Sequence, residues 1–188
     1  MCSDGVVIDT TPPKPVYLQD GAGKEDADYV PSTRRVRAKY EPFADAESPM
    51  VKYEWKIIAN DTNIDLTPFI NIPLTQRTPM IDKLSLEAGK PYKLLLQGTN
   101  AAGLRAAIQS DGFIADGTAP VCKGRVLDVL HKNQRDDVDF VRQLQSIQAK
   151  WSCKDEESTI KVILTSINLF CLFCLQNLQR MRHGLCSW

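Results

Sequence analysis

One block of residues recurs in this chain at long spacing, and that recurrence limits what the chain can fold into. Ser3-Asp4-Gly5-Val6-Val7-Ile8-Asp9-Thr10-Thr11-Pro12-Pro13 is echoed 107 residues later by Ser110-Asp111-Gly112-Phe113-Ile114-Ala115-Asp116-Gly117-Thr118-Ala119-Pro120. Self-similarity at fixed spacing is the mark of an internal repeat. A period of this length is too long for a solenoid unit and fits one self-contained domain per repeat. The match continues beyond the block. Asp26-Ala27-Asp28-Tyr29 parallels Asp137-Val138-Asp139-Phe140, and Val36-Arg37-Ala38-Lys39-Tyr40 parallels Ile147-Gln148-Ala149-Lys150-Trp151, both at an offset of 111. Asp45-Ala46-Glu47-Ser48 parallels Asp155-Glu156-Glu157-Ser158 at an offset of 110, and the match ends at Lys161. The spacing predicts the end strand of a preceding repeat over 1–11 and a complete domain over 12–117. The start of a following repeat then covers 118–161, and a divergent apolar tail covers 162–188.

The complete copy reads as short strands, because apolar residues alternate with polar ones at period two. Val16 and Leu18, then Val36, Ala38 and Tyr40, then Val51, Tyr53, Trp55 and Ile57, then Tyr92, Leu94 and Leu96 define apolar phases. Weaker strands are expected over Ile64–Ile70 and Met80–Leu86, with a closing strand over about Ile108–Ala115. Turn-rich segments such as Asp20-Gly21-Ala22-Gly23 and Asn100-Ala101-Ala102-Gly103 punctuate them. No long helical period appears between residues 5 and 130. The fold class expected is all-β, an antiparallel seven-strand sandwich with an incomplete second copy.

A net charge of +0 argues against nucleic acid as a partner, since neutralising phosphate requires a basic surface. Of six cysteines none lies between residues 3 and 121, so the complete copy must hold together by burial alone. Cys171-x-x-Cys174 sits in an apolar run without a second pair, and reads as two small hydrophobes rather than a metal or redox site. The start, Met1-Cys2-Ser3-Asp4, lacks the basic and apolar regions of a signal peptide. Val162–Leu175 is apolar but interrupted by Thr165, Ser166 and Asn168, too short for a membrane span of about 20 residues. A short helix is expected around Leu169–Met181, and loose order from about residue 121 onward.

The chain resembles fibronectin type III domains, in particular tandem extracellular repeats that open on an Asp-Thr-Thr-Pro-Pro junction. Val7-Ile8-Asp9-Thr10-Thr11-Pro12-Pro13 carries the junction. Tyr40, with Trp151 in the second copy, stands where such domains usually place a core Trp. Leu86-Glu87-Ala88-Gly89-Lys90-Pro91-Tyr92 looks like the approach to a tyrosine corner, and Asn100-Ala101-Ala102-Gly103 like the turn that follows the penultimate strand. Gln97-Gly98 and Gly117 depart from the pattern. The resemblance covers residues 5–161.

Candidate sites are few. The histidines, His131 and His183, have no catalytic companions, and no phosphate loop or triad pattern is present, so no catalytic, cofactor or metal residues are assigned. Asp45 and Glu47 read as a solvated turn. Asp26-x-Asp28 and Asp137-x-Asp139 invite a calcium reading, but further ligands at regular spacing are lacking, and turn capping is the default. Arg35, Arg37 and Lys39 share the outward face of one strand beside Arg34, a possible interaction face for an acidic protein or sulfated glycan, though a solvated sheet face is the plainer reading. Asn60-Asp61-Thr62 is a glycosylation sequon in a loop. Tyr40, Trp55 and Tyr92 are the expected core anchors.

The resemblance implies an extracellular, non-enzymatic module with no cofactor, whose partners are other repeats of its array and an extracellular protein or glycan. An accessory module of a secreted enzyme is the alternative, and a receptor ectodomain a third. No membrane span is expected within these residues.

Overall fold

The computed structural model describes residues 4–130, 135–138, 148–160 and 162–163. The chain divides into two compact units, Met1–Thr118 and Ala119–Trp188.

In the first unit, β-branched and aromatic residues at alternate positions build strands with one sealed face. β7 (Pro91–Asn100) shows it best, with every second residue from Tyr92 to Asn100 buried. β4 (Met50–Ala59) runs antiparallel to it over nearly its whole length, with Trp55 opposite Leu96 and Ile57 opposite Leu94. β5 (Ile70–Ile72) continues the sheet beyond β4, while β8 (Arg105–Gln109) and β9 (Phe113–Ala115) pair with β7. β2 (Tyr29–Val30) completes this sheet by pairing in parallel with β9. A second sheet consists of β1 (Tyr17–Asp20), β3 (Val36–Glu41) and β6 (Met80–Ile81), with β3 in the middle.

The two sheets close on one core. Leu18, Val36, Ala38, Tyr40 and Ile81 from the smaller sheet join Tyr53, Trp55, Ile57, Tyr92, Leu94 and Leu96 from the larger. Tyr40 meets Tyr53 with ring centroids 5.1 Å apart, and Phe43 meets Tyr53 edge-on at 5.4 Å. Such tilted and edge-to-face pairs add favourable electrostatics to area burial. The unit is a β-sandwich, antiparallel apart from the short β2–β9 pair, and holds nine strands among its described residues where seven were expected, because the closing strand is split and the short β2 adds to the larger sheet.

Several sequence readings need correction. Gln19 and Asp20 are fully buried while Val16 is 56% exposed, so β1 does not follow the simple apolar alternation. The Gln19 side chain is held because it organises the loop that follows, its Nε2 donating to the carbonyls of Gly23 and Glu25. The Asp20 side chain is held from the other sheet, its Oδ2 accepting from the Gly112 amide at 3.1 Å. Val51 is exposed because the β4–β7 register slips between Met50 and Lys52, a bulge that turns one residue outward. Residues 64–69 form no strand apart from an isolated bridge between Asp65 and Ile58. The closing strand is broken into β8 and β9 at Ser110-Asp111-Gly112, where Gly112 adopts φ +114° and a Cβ would meet the Tyr92 carbonyl oxygen at 2.9 Å. Only glycine tolerates both conditions.

Gly98 explains the departure noted at Gln97-Gly98. It faces inward on β7, and a Cβ there would lie 2.7 Å from both the Phe43 ring and the Met50 methyl. The missing side chain is the space that Phe43 occupies. At the other end of the strand, Tyr92 forms its corner. The Glu87 amide donates to its hydroxyl at 2.8 Å, and the hydroxyl donates to the Glu87 carbonyl at 3.2 Å.

In the second unit, β10 (Val121–Val129) and β11 (Gln148–Lys154) form a two-stranded antiparallel sheet, with a register shift between Lys123 and Leu127. Cys122 and Cys153 are direct cross-strand partners and are joined by a disulfide. Loose order was expected from residue 121 onward; the described part instead holds this stapled sheet. A crosslink compensates for a core too small to stabilise two strands. Trp151 is half-buried, whereas Tyr40 is almost fully enclosed. Cys171, Cys174, the helix expected over Leu169–Met181, His131 and His183 lie outside the described residues.

Two substitutions test this packing. Trp55→Ala should destabilise the first unit by about 3–5 kcal/mol in denaturant unfolding. Gly98→Ala should cost about 1–3 kcal/mol through overpacking against Phe43, and Phe43→Leu in the same chain should return part of it.

Candidate functional site

The outward face of β3 carries Arg37 and Lys39, as period-two geometry requires once Val36, Ala38 and Tyr40 turn inward. Arg34 and Arg35 precede the strand in a segment fixed by Ser32, whose hydroxyl oxygen accepts from the Arg34 and Arg35 amides at 3.1 and 3.0 Å. The Arg34 carbonyl accepts from the Leu84 amide at 3.0 Å, so the cationic turn is tied to the chain beyond β6.

An open groove of about 810 Å³ lies alongside. Arg34, Arg35, Arg37 and Lys83 supply its cations, Tyr29, Val30 and Pro31 its apolar wall, and Asp82 its one carboxylate. Asp82 is engaged with Arg35 Nε in an exposed ion pair. Arg34, Arg37 and Lys83 have no ion-pair partner among the described residues. The groove therefore offers positive charge next to an aromatic ring. Lys39, expected on the same surface, does not line it; it stands opposite Gln19 on β1 and is half-buried.

The other expected positions fall elsewhere. Asn60 is half-buried in the turn after β4, its amide donating to the Pro91 carbonyl at 3.0 Å. Tyr40, Trp55 and Tyr92 are buried and belong to the core. Arg77 stacks over the Tyr40 ring at 5.6 Å, a cation–π contact at the core's edge.

Asp45 and Glu47, read from sequence as a solvated turn, lie in such a turn, with Glu47 exposed, and Asp45 also joins a hydrogen-bonded knot around Asn100. Asn100 is buried, and its Nδ2 donates to Asp9 Oδ2 at 2.8 Å and Asp45 Oδ2 at 3.0 Å. Its Oδ1 accepts from the Leu104 amide at 2.8 Å, closing the turn after β7. Ser48 Oγ donates to Asp9 Oδ2 at 2.5 Å, and Thr11 Oγ1 donates to Glu47. The Ser48 amide, then the Asn100 side chain, hold the Asp45 carboxyl below its ordinary range. Asp9 and Thr11 thus fasten the Asp-Thr-Thr-Pro segment to the sandwich. The same turn recurs in the second unit, where the Glu157 and Ser158 amides donate to Asp155 Oδ1 at 3.0 and 2.9 Å. Sequence alone showed the repeated Asp-x-Glu-Ser, but not that Asn100 is the residue that ties it down.

No family model matches the chain, and no curated protein matches it. One similar solved structure is a solution structure of the fourth fibronectin type III domain of a human protein. It is 19% identical, the match covers 62% of this chain and 92% of that domain, and the TM-score is 0.39. The sandwich assignment rests on the chain's own strand order and shared core.

Asn100→Ala should destabilise the first unit by about 1–3 kcal/mol, because the Leu104 amide and two carboxylates lose their partner together. Chemical denaturation of the variant checks this, and fluorescence or hydrogen exchange should show the loosening concentrated at residues 9–11 and 45–48.

Proposed function

We propose that this chain is a piece of an extracellular tandem array of non-catalytic β-sandwich domains, serving as spacer and as an interaction surface for an acidic glycan or protein. Residues 12–117 form the complete domain of this reading, 1–11 the end of a preceding one and 118–161 the start of a following one. The groove beside β3 is the observation that carries the binding role. Three cations without carboxylate partners border an apolar wall with Tyr29, which suits a sulfated, ring-containing ligand better than a bare anion.

Further features support the setting. The Cys122–Cys153 bridge fits an oxidising compartment, where disulfides persist. Asn60-Asp61-Thr62 is a sequon in a turn. Val6, Val7 and Ile8 are strongly exposed, yet they match Phe113, Ile114 and Ala115, which form β9 in the first unit. That is the behaviour of a strand that belongs to a neighbouring domain. Among the described residues no helix is long and apolar enough to cross a membrane.

Sulfated glycans immobilised on an array should retain the purified chain at low salt and release it as ionic strength rises. Arg35→Ala with Arg37→Ala should weaken that binding several-fold while leaving the unfolding midpoint nearly unchanged, since both side chains are exposed. Equal retention of the double variant, or no retention of the parent chain, would rule out the groove as the site.

A further inference from the structure

The fully buried Asp20 ends β1 and has no apolar reason to be there. Its Oδ2 accepts from the Gly112 amide at 3.1 Å, and the Ser110 side chain favours its ionised form, while its buried Oδ1 has no hydrogen bond of good geometry. Leaving a buried carboxylate oxygen unpaired is costly unless something else meets it. Two more carboxylates converge on it. Asp26 comes from the loop after β1 and Asp111 from the break between β8 and β9, and one oxygen from each of Asp20, Asp26 and Asp111 lies within 4.8 Å of the others. The two oxygens of Asp20 share a carbon, so the partnerless atom borders this cluster. No Lys or Arg among the described residues forms an ion pair with any of the three.

We propose that Asp20, Asp26 and Asp111 form a calcium site. Hard cations take several carboxylate oxygens at 2.3–2.6 Å, which places neighbouring ligand atoms within about 4–5 Å of each other. Asp26 and Asp111 are exposed, so water can fill the remaining positions, as calcium's adaptable coordination permits.

The backbone is shaped to hold the three together. The Asp20 amide donates to Asp26 Oδ1 at 2.6 Å and the Ala27 amide to the Asp20 carbonyl at 3.1 Å, folding the loop back over β1. The second unit repeats this arrangement. The Asp128 amide donates to Asp137 Oδ1 at 2.7 Å, and the Val138 amide to the Asp128 carbonyl at 3.0 Å. The Ser-Asp-Gly block supplies the third ligand, with the positive φ of Gly112 setting Asp111 and turning an amide onto Asp20. The pair Asp26-x-Asp28 invites a calcium reading in the sequence, where turn capping is the default. Asp28 is not in the cluster, and its carbonyl accepts from the Ile114 amide at 2.8 Å. The other acidic cluster of the first unit, Asp9, Asp45 and Glu47, differs because Thr11, Ser48 and Asn100 donate to it.

The test uses the whole chain, stripped of metal, with calcium chloride titrated in by calorimetry and followed by thermal unfolding. Binding with Kd on the order of 10⁻⁴–10⁻³ M and a rise of several degrees in the unfolding midpoint of the first unit are expected. Asp111→Asn is the decisive variant, because it removes a ligand without touching Asp20's bonds to Gly112 and Asp26. It should weaken calcium binding at least about tenfold, yet unfold in chelator at the same temperature as the parent chain or higher. Asp26→Ala should weaken binding by at least as much. Three results overturn the proposal: no heat and no midpoint shift with calcium, calcium binding by Asp111→Asn equal to the parent's, or an equal midpoint shift from the same concentration of magnesium.

Discussion

β7 is the strand on which the first unit is assembled. Its inward residues alternate without a fault from Tyr92 to Asn100, and three other strands hydrogen-bond to it. Each end is finished by a polar device facing the core's edge. Tyr92 locks the chain entering the strand by bonding both backbone groups of Glu87, and Asn100 locks the chain leaving it by satisfying Leu104. Between them Gly98 yields its volume to Phe43, which in turn sits edge-on to Tyr53 and sends its amide to the Tyr53 hydroxyl at 2.8 Å. A strand with apolar residues throughout its inner face could pair equally well, but it could not seat Phe43.

The strands legible in the sequence are those whose stability comes from a repeating hydrophobic face. β3, β4 and β7 could be found by period two because burial is what selects their residues. The edges were not legible for the opposite reason. Gln19 is buried to hold a loop six residues further on and Asp20 to accept from the Gly112 amide, and a pattern that weighs only apolarity assigns both to solvent. The split of the closing strand was written in Ser110-Asp111-Gly112, a block whose recurrence was plain while its bend was not. Of the candidate positions, Arg37 follows the outward phase of β3, whereas Arg35 lies in the turn before it. Tyr29 and Lys83, which give the groove its wall and part of its charge, come from segments distant in sequence and show no local signal.

Two acidic clusters on one sandwich illustrate how differently the same side chain can be used. Around Asn100 the carboxylates are acceptors for neutral donors, and Asp45 is held readily ionised. Around Asp20 the donors are too few for the oxygens present, and ionisation is resisted. The first arrangement closes on itself. The second leaves one buried oxygen, Asp20 Oδ1, unmet.

The bridge between Cys122 and Cys153 has a mechanical meaning. Tension drawn along the chain through the second unit would cross from one sulfur to the other, and the intervening residues would carry none of it. That loop is stored length: fully extended it would span roughly 100 Å at about 3.3–3.6 Å per residue. A reductant that opens the bond releases this slack, so the reach of the segment under load is set by the redox state of its surroundings.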